Sequence, residues 1–289
     1  MNKPLAGPWP GKLIDPSGRR QLGCASPSQG SYGCHEYYDE ASGRTMVIDK
    51  GMGLHAYQDM LELGSSYIDM IKLGFGTAVL YPTDLLRRKI ELAALKGLLI
   101  MPGGTLLEAA VQQGVASSLF DSMCQLGFSG VEVSDGTIEL SRRVRSDLIR
   151  EGTARGLYVV SEYGKKKAGS AVNPYELAVT AEADWSAGAQ YITVEARESG
   201  VDVGLFDDKG QCREELLKQI ELALPNTKQL MWEAPLKQQQ VYLLQHYGSG
   251  VHLGNIPPSE VLSLETMRRG LRSDTFSFGL QNEPIHYMI

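Results

Sequence analysis

Cysteine is scarce: the 289 residues hold four, Cys24, Cys34, Cys124 and Cys212, and no two form a CxxC pair. That spacing excludes a disulfide scaffold and a paired-thiolate zinc module, and Cys24, Cys34 and His35 lack an evident fourth metal ligand. No apolar run approaches the roughly 20 residues of a membrane span, and the opening MNKPLAGPWPGKLIDPSG has no apolar core that would direct secretion, so a cytoplasmic protein is expected. No block of Lys and Arg is interleaved with aromatics, and the net charge is -6 with a pI near 5.5, which removes nucleic acid from the expected partners. No GxGxxG follows the first strand-like run, so an open dinucleotide-binding sheet would lack its phosphate loop.

What is present is a globular composition, 43% hydrophobic and 21% charged, that can bury a large core unaided. Residues 1–45 are rich in Gly, Pro and Ser without an apolar period. They predict an arm that packs over the remainder or over a neighbouring subunit, in an assembly of like subunits. From residue 46 onward, short apolar runs alternate with amphipathic stretches: MVID (46–49), YIDMIK (67–72), GLLIMP (97–102), GVEVS (130–134), LYVVSE (157–162), YITVE (191–195), QLMWEA (229–234) and GVHLGN (250–255). Each interval leaves room for one helix. Thr105 with Glu108 and Asn173 with Glu176 have capping-box spacing, and Pro174 stands at a first helical position. The α/β alternation predicts a single (β/α)8 (TIM) barrel over residues 46–276, followed by a tail, 277–289.

Such barrels carry their chemistry at the carboxyl ends of the strands. The polar residues closing the runs are Asp49 and Lys50, Lys72, Gly103 and Gly104, Glu132 and Asp135, Glu162 and Lys165, Glu195 and Arg197, Glu233, and Asn255. If the registers agree, Glu132, Glu162 and Glu195 converge from adjacent strands. Three anions in a dry mouth must bind protons unless a divalent cation, Lys or Arg neutralises them, and carboxylate-only ligation points to Mg2+ rather than zinc. The plainer reading is a salt-bridge network with Lys72, Lys165 and Arg197 that only closes the barrel top, but closure does not require ionisable groups at so many strand ends. PGGT at 102–105 leads into a helix amino terminus, and GNI at 254–256 follows the last strand, where barrels often hold phosphate. Gly103, Gly104, Thr105, Gly254, Asn255 and Ile256, together with Lys50, are therefore candidate contacts for an anionic substrate.

Nine segments together resemble the phosphosulfolactate synthase family: DKG (49–51), YIDMIKLGFGT (67–77), PGGTLLEAA (102–110), LGFSGVEVSDGTIEL (126–140), SEYGKK (161–166), VEARESG (194–200), WEAP (232–235), LGNI (253–256) and LETMRRGLRSDT (264–275). The resemblance spans about 230 residues, from Val47 to Thr275. It implies a (β/α)8 barrel and a Mg2+-dependent lyase that adds sulfite to phosphoenolpyruvate through a metal-stabilised aci-carboxylate. It nominates Lys165 as the general acid, with Lys72 as the other candidate and Arg197 beside them, and Glu132, Glu162 and Glu195 as holders of the metal, directly or through water. The chain departs from the family pattern at Arg44, Phe75, Tyr163 and His252. Those departures leave open a related lyase with another nucleophile or acceptor. A non-catalytic barrel acting through contacts at Trp9, Cys24 and Cys34 is disfavoured by the intact strand-end set.

Overall fold

The computed structural model describes residues 43–279 together with Trp9. The expected packing of the amino-terminal arm, with Cys24 and Cys34, lies outside the described residues, as do residues 280–289. Strands and helices alternate as β1 (Thr45–Asp49), α1 (Leu54–Gly64), β2 (Met70–Leu73), α2 (Thr83–Leu95), β3 (Leu99–Pro102), α3 (Gly104–Gln112), α4 (Ala116–Leu126), β4 (Gly130–Ser134), α5 (Arg142–Ala154), β5 (Tyr158–Tyr163), α6 (Pro174–Ala187), β6 (Tyr191–Val194), α7 (Glu214–Ala223), β7 (Leu230–Glu233), α8 (Lys237–Tyr247), β8 (His252–Ile256) and α9 (Val261–Arg268). Among the described residues, no helix is long and apolar enough to cross a membrane.

All strand pairs are parallel, in the order β3-β2-β1-β8-β7-β6-β5-β4. At the seam between β3 and β4 the ladder gives way to Ser129. Its N–H donates to Ile100 O at 3.2 Å, and its hydroxyl accepts from Ile100 N–H at 2.9 Å. The sheet is thus a nearly closed (β/α)8 barrel.

The period-two alternation of buried strands sorts the side chains. Outward residues such as Val47, Ile71, Val131, Val159, Ile192 and Trp232 are covered by the helices in two apolar clusters. Inward residues Met46, Met70, Met101, Val160 and Met231 plug the barrel, and the unbranched thioethers of the four methionines fill its irregular interior. Two residues further along, the inward position turns ionic: Met70 is followed by Lys72, Val160 by Glu162 and Met231 by Glu233. The methionine layer is therefore the dry floor of a charged mouth.

Asn173 caps α6 as its spacing predicts, its Oδ1 accepting the Glu176 N–H at 3.1 Å, with Pro174 in the first turn. The Thr105–Glu108 pair does not form a cap, because α3 starts on Gly103 without a side-chain cap. Glu108 instead accepts the N–H groups of Thr137 at 2.7 Å and Ile138 at 2.9 Å, tying α3 to the loop after β4. Two of the four departures from the family pattern sit at the other end of the barrel, where Arg44 N–H donates to His252 Nδ1 at 2.8 Å.

Candidate active site

A pocket of about 420 Å3 opens at the carboxyl ends of the strands, lined by Lys72, Glu132, Glu162, Glu195 and Glu233 on its floor and by Gly103–Thr105, Lys166, Arg197 and Asn255 higher up. Ile48 and Phe75 are its apolar lining residues. The floor is dry: Lys72 is 4% exposed and the four glutamates no more than 2%.

Lys72 Nζ donates to Glu233 Oε1 at 2.8 Å and Glu132 Oε1 at 3.1 Å, and lies 3.6 Å from Glu162 Oε2. Burial pulls its pKa down, but the carboxylates Glu132, Glu233 and Glu162 overcome this and hold it well above the usual lysine value. Lys166, the second ammonium, stands 2.8 Å from Glu162 Oε1, 3.7 Å from Glu195 Oε2 and 3.2 Å from Thr105 Oγ1. Its pKa is likewise raised, because Glu162, Glu195 and Glu132 outweigh the desolvation that lowers it.

The carboxylates are held individually. Glu132 Oε2 accepts the Gly104 N–H at 2.7 Å, and Glu233 Oε2 the Ala196 N–H at 2.9 Å. Glu195 Oε1 accepts the N–H of Arg197 at 2.5 Å, which requires Arg197 to adopt a left-handed backbone with φ 59°. Phe75 (φ 59°) and Asn255 (φ 53°) line the same pocket in the same unusual conformation, the kind of backbone strain that concentrates at functional sites. Four carboxylates face two ammoniums, Lys72 on the floor and Lys166 above it, and Arg197 and Glu198 at the rim offset each other. The excess negative charge is relieved chiefly at Glu195. Burial, then Glu162 and Glu233, raise its pKa well above the carboxylate range, and a hydrogen bond between the two carboxyl groups lets Glu195 keep a proton beside the ionised Glu162. Burial would raise Glu162 too, but Lys166 and Lys72 draw it down to about 2. Burial lifts Glu132 to about 7 against the pull of Lys72.

The expected metal ligands Glu132, Glu162 and Glu195 meet on one ring but not at one point. Both Glu132 oxygens are already engaged, and among the described residues no three Asp, Glu, His or Cys side chains converge as a ligand set. The least engaged oxygen of the ring is Oε2 of Glu195, which adjoins Glu162 and lies 3.7 Å from Lys166. Lys165 lies outside the pocket. Its Nζ donates to Asp135 O at 2.7 Å and pairs with Glu139 at 3.2 Å beside a separate cavity of about 290 Å3 that Tyr163 also lines. Lys50 is exposed at the end of β1. Gly254 faces the methionine layer, where a Cβ would meet Met46 Cε at 2.9 Å, and Ile256 packs outward under the helices. Of the predicted residues, Lys72, Gly103, Gly104, Thr105, Glu132, Glu162, Glu195, Arg197 and Asn255 line the pocket.

Residues 36–274 match the family model of (2R)-phospho-3-sulfolactate synthase (ComA). This chain belongs to the phosphosulfolactate synthase family. It is 40% identical to the phosphosulfolactate synthase of Methanothermobacter thermautotrophicus over 236 residues, 81% of this chain and 91% of the relative. It is 38% identical to that of Methanocaldococcus jannaschii over 242 residues, 83% and 96% of the two chains. The phosphosulfolactate synthases are carbon–sulfur lyases that add sulfite to phosphoenolpyruvate. In fold, the chain is similar to a crystal structure of 3-hexulose-6-phosphate synthase, with a TM-score of 0.51 and 14% identity over 77% of this chain and 98% of that one.

Sequence reasoning set aside two residues of this phosphosulfolactate synthase family member that the pocket uses. Glu233 was visible as a strand-end carboxylate but was not joined to the ring. Lys166 lies in the run Lys165-Lys166-Lys167, whose members cannot be told apart by alternation. Gly164, at φ 132°, turns the chain out of β5, and Lys166 N–H bonds Gly136 O, which aims the second lysine inward instead of the first.

Proposed function

We propose that this protein joins sulfite to phosphoenolpyruvate. The sulfur lone pair forms a bond to the methylene carbon, the π electrons move onto the carboxylate as an aci-carboxylate, and a proton then closes the carbon that bears the phosphate. The product, phosphosulfolactate, retains every atom of both substrates. The observation that carries this reading is the dry ring of four carboxylates and two ammoniums in a pocket walled by the amino terminus of α3.

Lys166 is the proton donor in this scheme, since it is the ammonium on the pocket wall and its carboxylate neighbours keep it charged until substrate arrives. Lys72 lies deeper and keeps Glu132 and Glu233 ionised and fixed. Thr105, in the first turn of α3, faces the incoming anion at the positive end of that helix, the neighbouring Gly104 N–H being already held by Glu132. Mg2+ fits the pair Glu162 and Glu195, because two adjoining buried carboxyl groups, whose Oε1 and Oε2 respectively lack a well-directed hydrogen bond, and more carboxylates than ammoniums match a cation that needs only one or two carboxylates and takes its other ligands from water and substrate. When bound, it supplies the positive charge that makes the dianionic aci-carboxylate accessible.

The test is 31P NMR of the protein with Mg2+, phosphoenolpyruvate and sulfite, which should show a phosphate ester at a saturated carbon and no free phosphate. Product only with a thiol in place of sulfite would move the reading to a related lyase. Absence of product with either nucleophile would overturn it.

A further inference from the structure

A second charged cluster lies outside the barrel, under α2. Lys89 is fully buried, and all three of its N–H donors are taken: by Asp49 Oδ2 at 2.5 Å, by Met52 O at 2.8 Å and by Tyr81 OH at 3.0 Å. Its ammonium also sits 4.7 Å from the centre of the Tyr57 ring and 4.4 Å from that of Tyr81. Asp49, itself fully buried, accepts the N–H groups of Gly51 at 2.9 Å and Met52 at 2.7 Å through Oδ1, and its carbonyl accepts the Gly74 N–H at 2.8 Å.

Burying an ion pair here is a poor way to hold a helix to a barrel, since apolar side chains do so without desolvating two charges. What the ion pair adds is direction, because each of its hydrogen bonds fixes one backbone or side-chain position. The positions fixed belong to two loops at the pocket mouth. The turn after β1, residues 49–53, follows pocket residue Ile48 and carries Lys50. The loop after β2, residues 74–82, carries pocket residue Phe75 and ends beside Tyr81. Gly74 packs so closely that a Cβ there would lie 3.0 Å from Ile48 Cγ1, so the loop after β2 rests directly on the end of β1.

We propose that Lys89 is a positioning residue that sets the Ile48–Phe75 wall of the pocket, and with it the turn that carries Lys50, through Asp49 and Tyr81, touching no substrate itself. The kinetic part of this inference rests on the sulfite-addition reading, whereas the structural part does not. In the full-length protein without substrate, Lys89→Met should speed hydrogen exchange at the amides of Gly51, Met52 and Gly74 by at least about tenfold, leaving Val131 and Val159 unchanged. With substrates, it should raise KM for phosphoenolpyruvate about tenfold with kcat within about threefold. Its effect on KM should combine less than additively with that of Lys50→Ala, because both act on one loop.

If Lys89→Met fails to fold, Tyr81→Phe removes one acceptor and keeps both rings, and the same three amides should respond in smaller measure. Unchanged exchange at those amides, a uniform rise through the barrel strands, or additive effects with Lys50→Ala would each overturn the proposal. If the wild-type protein turns over no phosphoenolpyruvate, the exchange measurement still decides the role of Lys89, and the failure belongs to the sulfite-addition reading.

Discussion

Lys166 Nζ stands 2.8 Å from Glu162 Oε1, and the turn at Gly164 brings the two together four residues apart in the chain. This pairing puts Lys166, and not the Lys165 that the family resemblance nominates, on the pocket wall. Lys166→Ala should lower kcat by roughly 10²- to 10⁴-fold, the span of general acid–base catalysis. Lys165→Ala should leave kcat within about threefold, because Lys165 is tied to Asp135, Ile138 and Glu139 outside the pocket. The decisive measurement is steady-state turnover of both variants, and the reverse order of effects would remove Lys166 from the chemistry.

Lys72 has a structural duty that Lys166 does not share. Lys72→Met leaves Glu132 and Glu233 buried without their cation, and losing one partner of a buried pair costs about 3–5 kcal/mol. At about 2–4 °C per kcal/mol for a domain of this size, the melting temperature should fall by about 6–20 °C. Adding Glu233→Gln to Lys72→Met should recover part of that loss. A melting curve unmoved by the single substitution would show that the ring adapts around the missing charge.

The barrel was legible because strands buried on both faces read as apolar runs, and all eight predicted runs coincide with strands to within a few residues. The largest slip is at β2, where YIDMIK begins early. Asp69 accepts the Thr45 N–H at 2.8 Å and Ser65–Tyr67 form a 3-10 turn, so the ladder starts only at Met70. The glutamates of the site were legible for the same reason, since each lies on or directly after a strand at an inward position. What the sequence concealed lies beyond the strands: the choice among three lysines after Gly164, and the use of Glu108 as a loop anchor rather than a cap. Both depend on contacts between residues about 25 or more positions apart, which local spacing does not encode. Of the departures from the family pattern, only Phe75 lines the pocket.

The glycine pair before α3 is a matter of space as well as backbone freedom. A Cβ at Gly104 would lie 2.3 Å from Ser134 Oγ and 3.3 Å from Glu132 Cγ. Gly104→Ala should therefore displace either the helix start or the Glu132 carboxylate, lowering kcat/KM by about 10²-fold or more, the loss that an ångström-scale misplacement brings. Gly114→Ala is a useful control, because its Cβ meets nothing and its cost is backbone strain alone at φ 70°. Equal kinetic losses in the two variants would refute the steric account.

The pH dependence of stability should depend on the metal. Burial, reinforced by neighbouring carboxylates, raises Glu132 to about 7 and Glu195 well above the carboxylate range, whereas Lys166 and Lys72 overcome burial to hold Glu162 at about 2. A carboxyl whose folded pKa is raised stabilises the fold fully below its unfolded value of about 4.3 and loses that contribution as pH rises through the folded value. Glu132 and Glu195 should therefore weaken the metal-free protein progressively from about pH 4.3 through 7 and beyond. Glu162 acts oppositely, its contribution being present above about 4.3 and lost toward about 2 as pH falls. A divalent cation on Glu162 and Glu195 competes with the proton, so its stabilisation should grow with pH. With Mg2+ at about 100 times its dissociation constant, the melting temperature should rise by roughly 5–10 °C at pH 8, from about 2.7 kcal/mol of linked binding. At pH 5 the rise should be much smaller, because protons already neutralise Glu195. Scanning calorimetry with Mg2+ and with EDTA at the two pH values decides the matter, and an Mg2+ effect that is absent, or equal at both, would exclude the Glu162–Glu195 pair as the cation site.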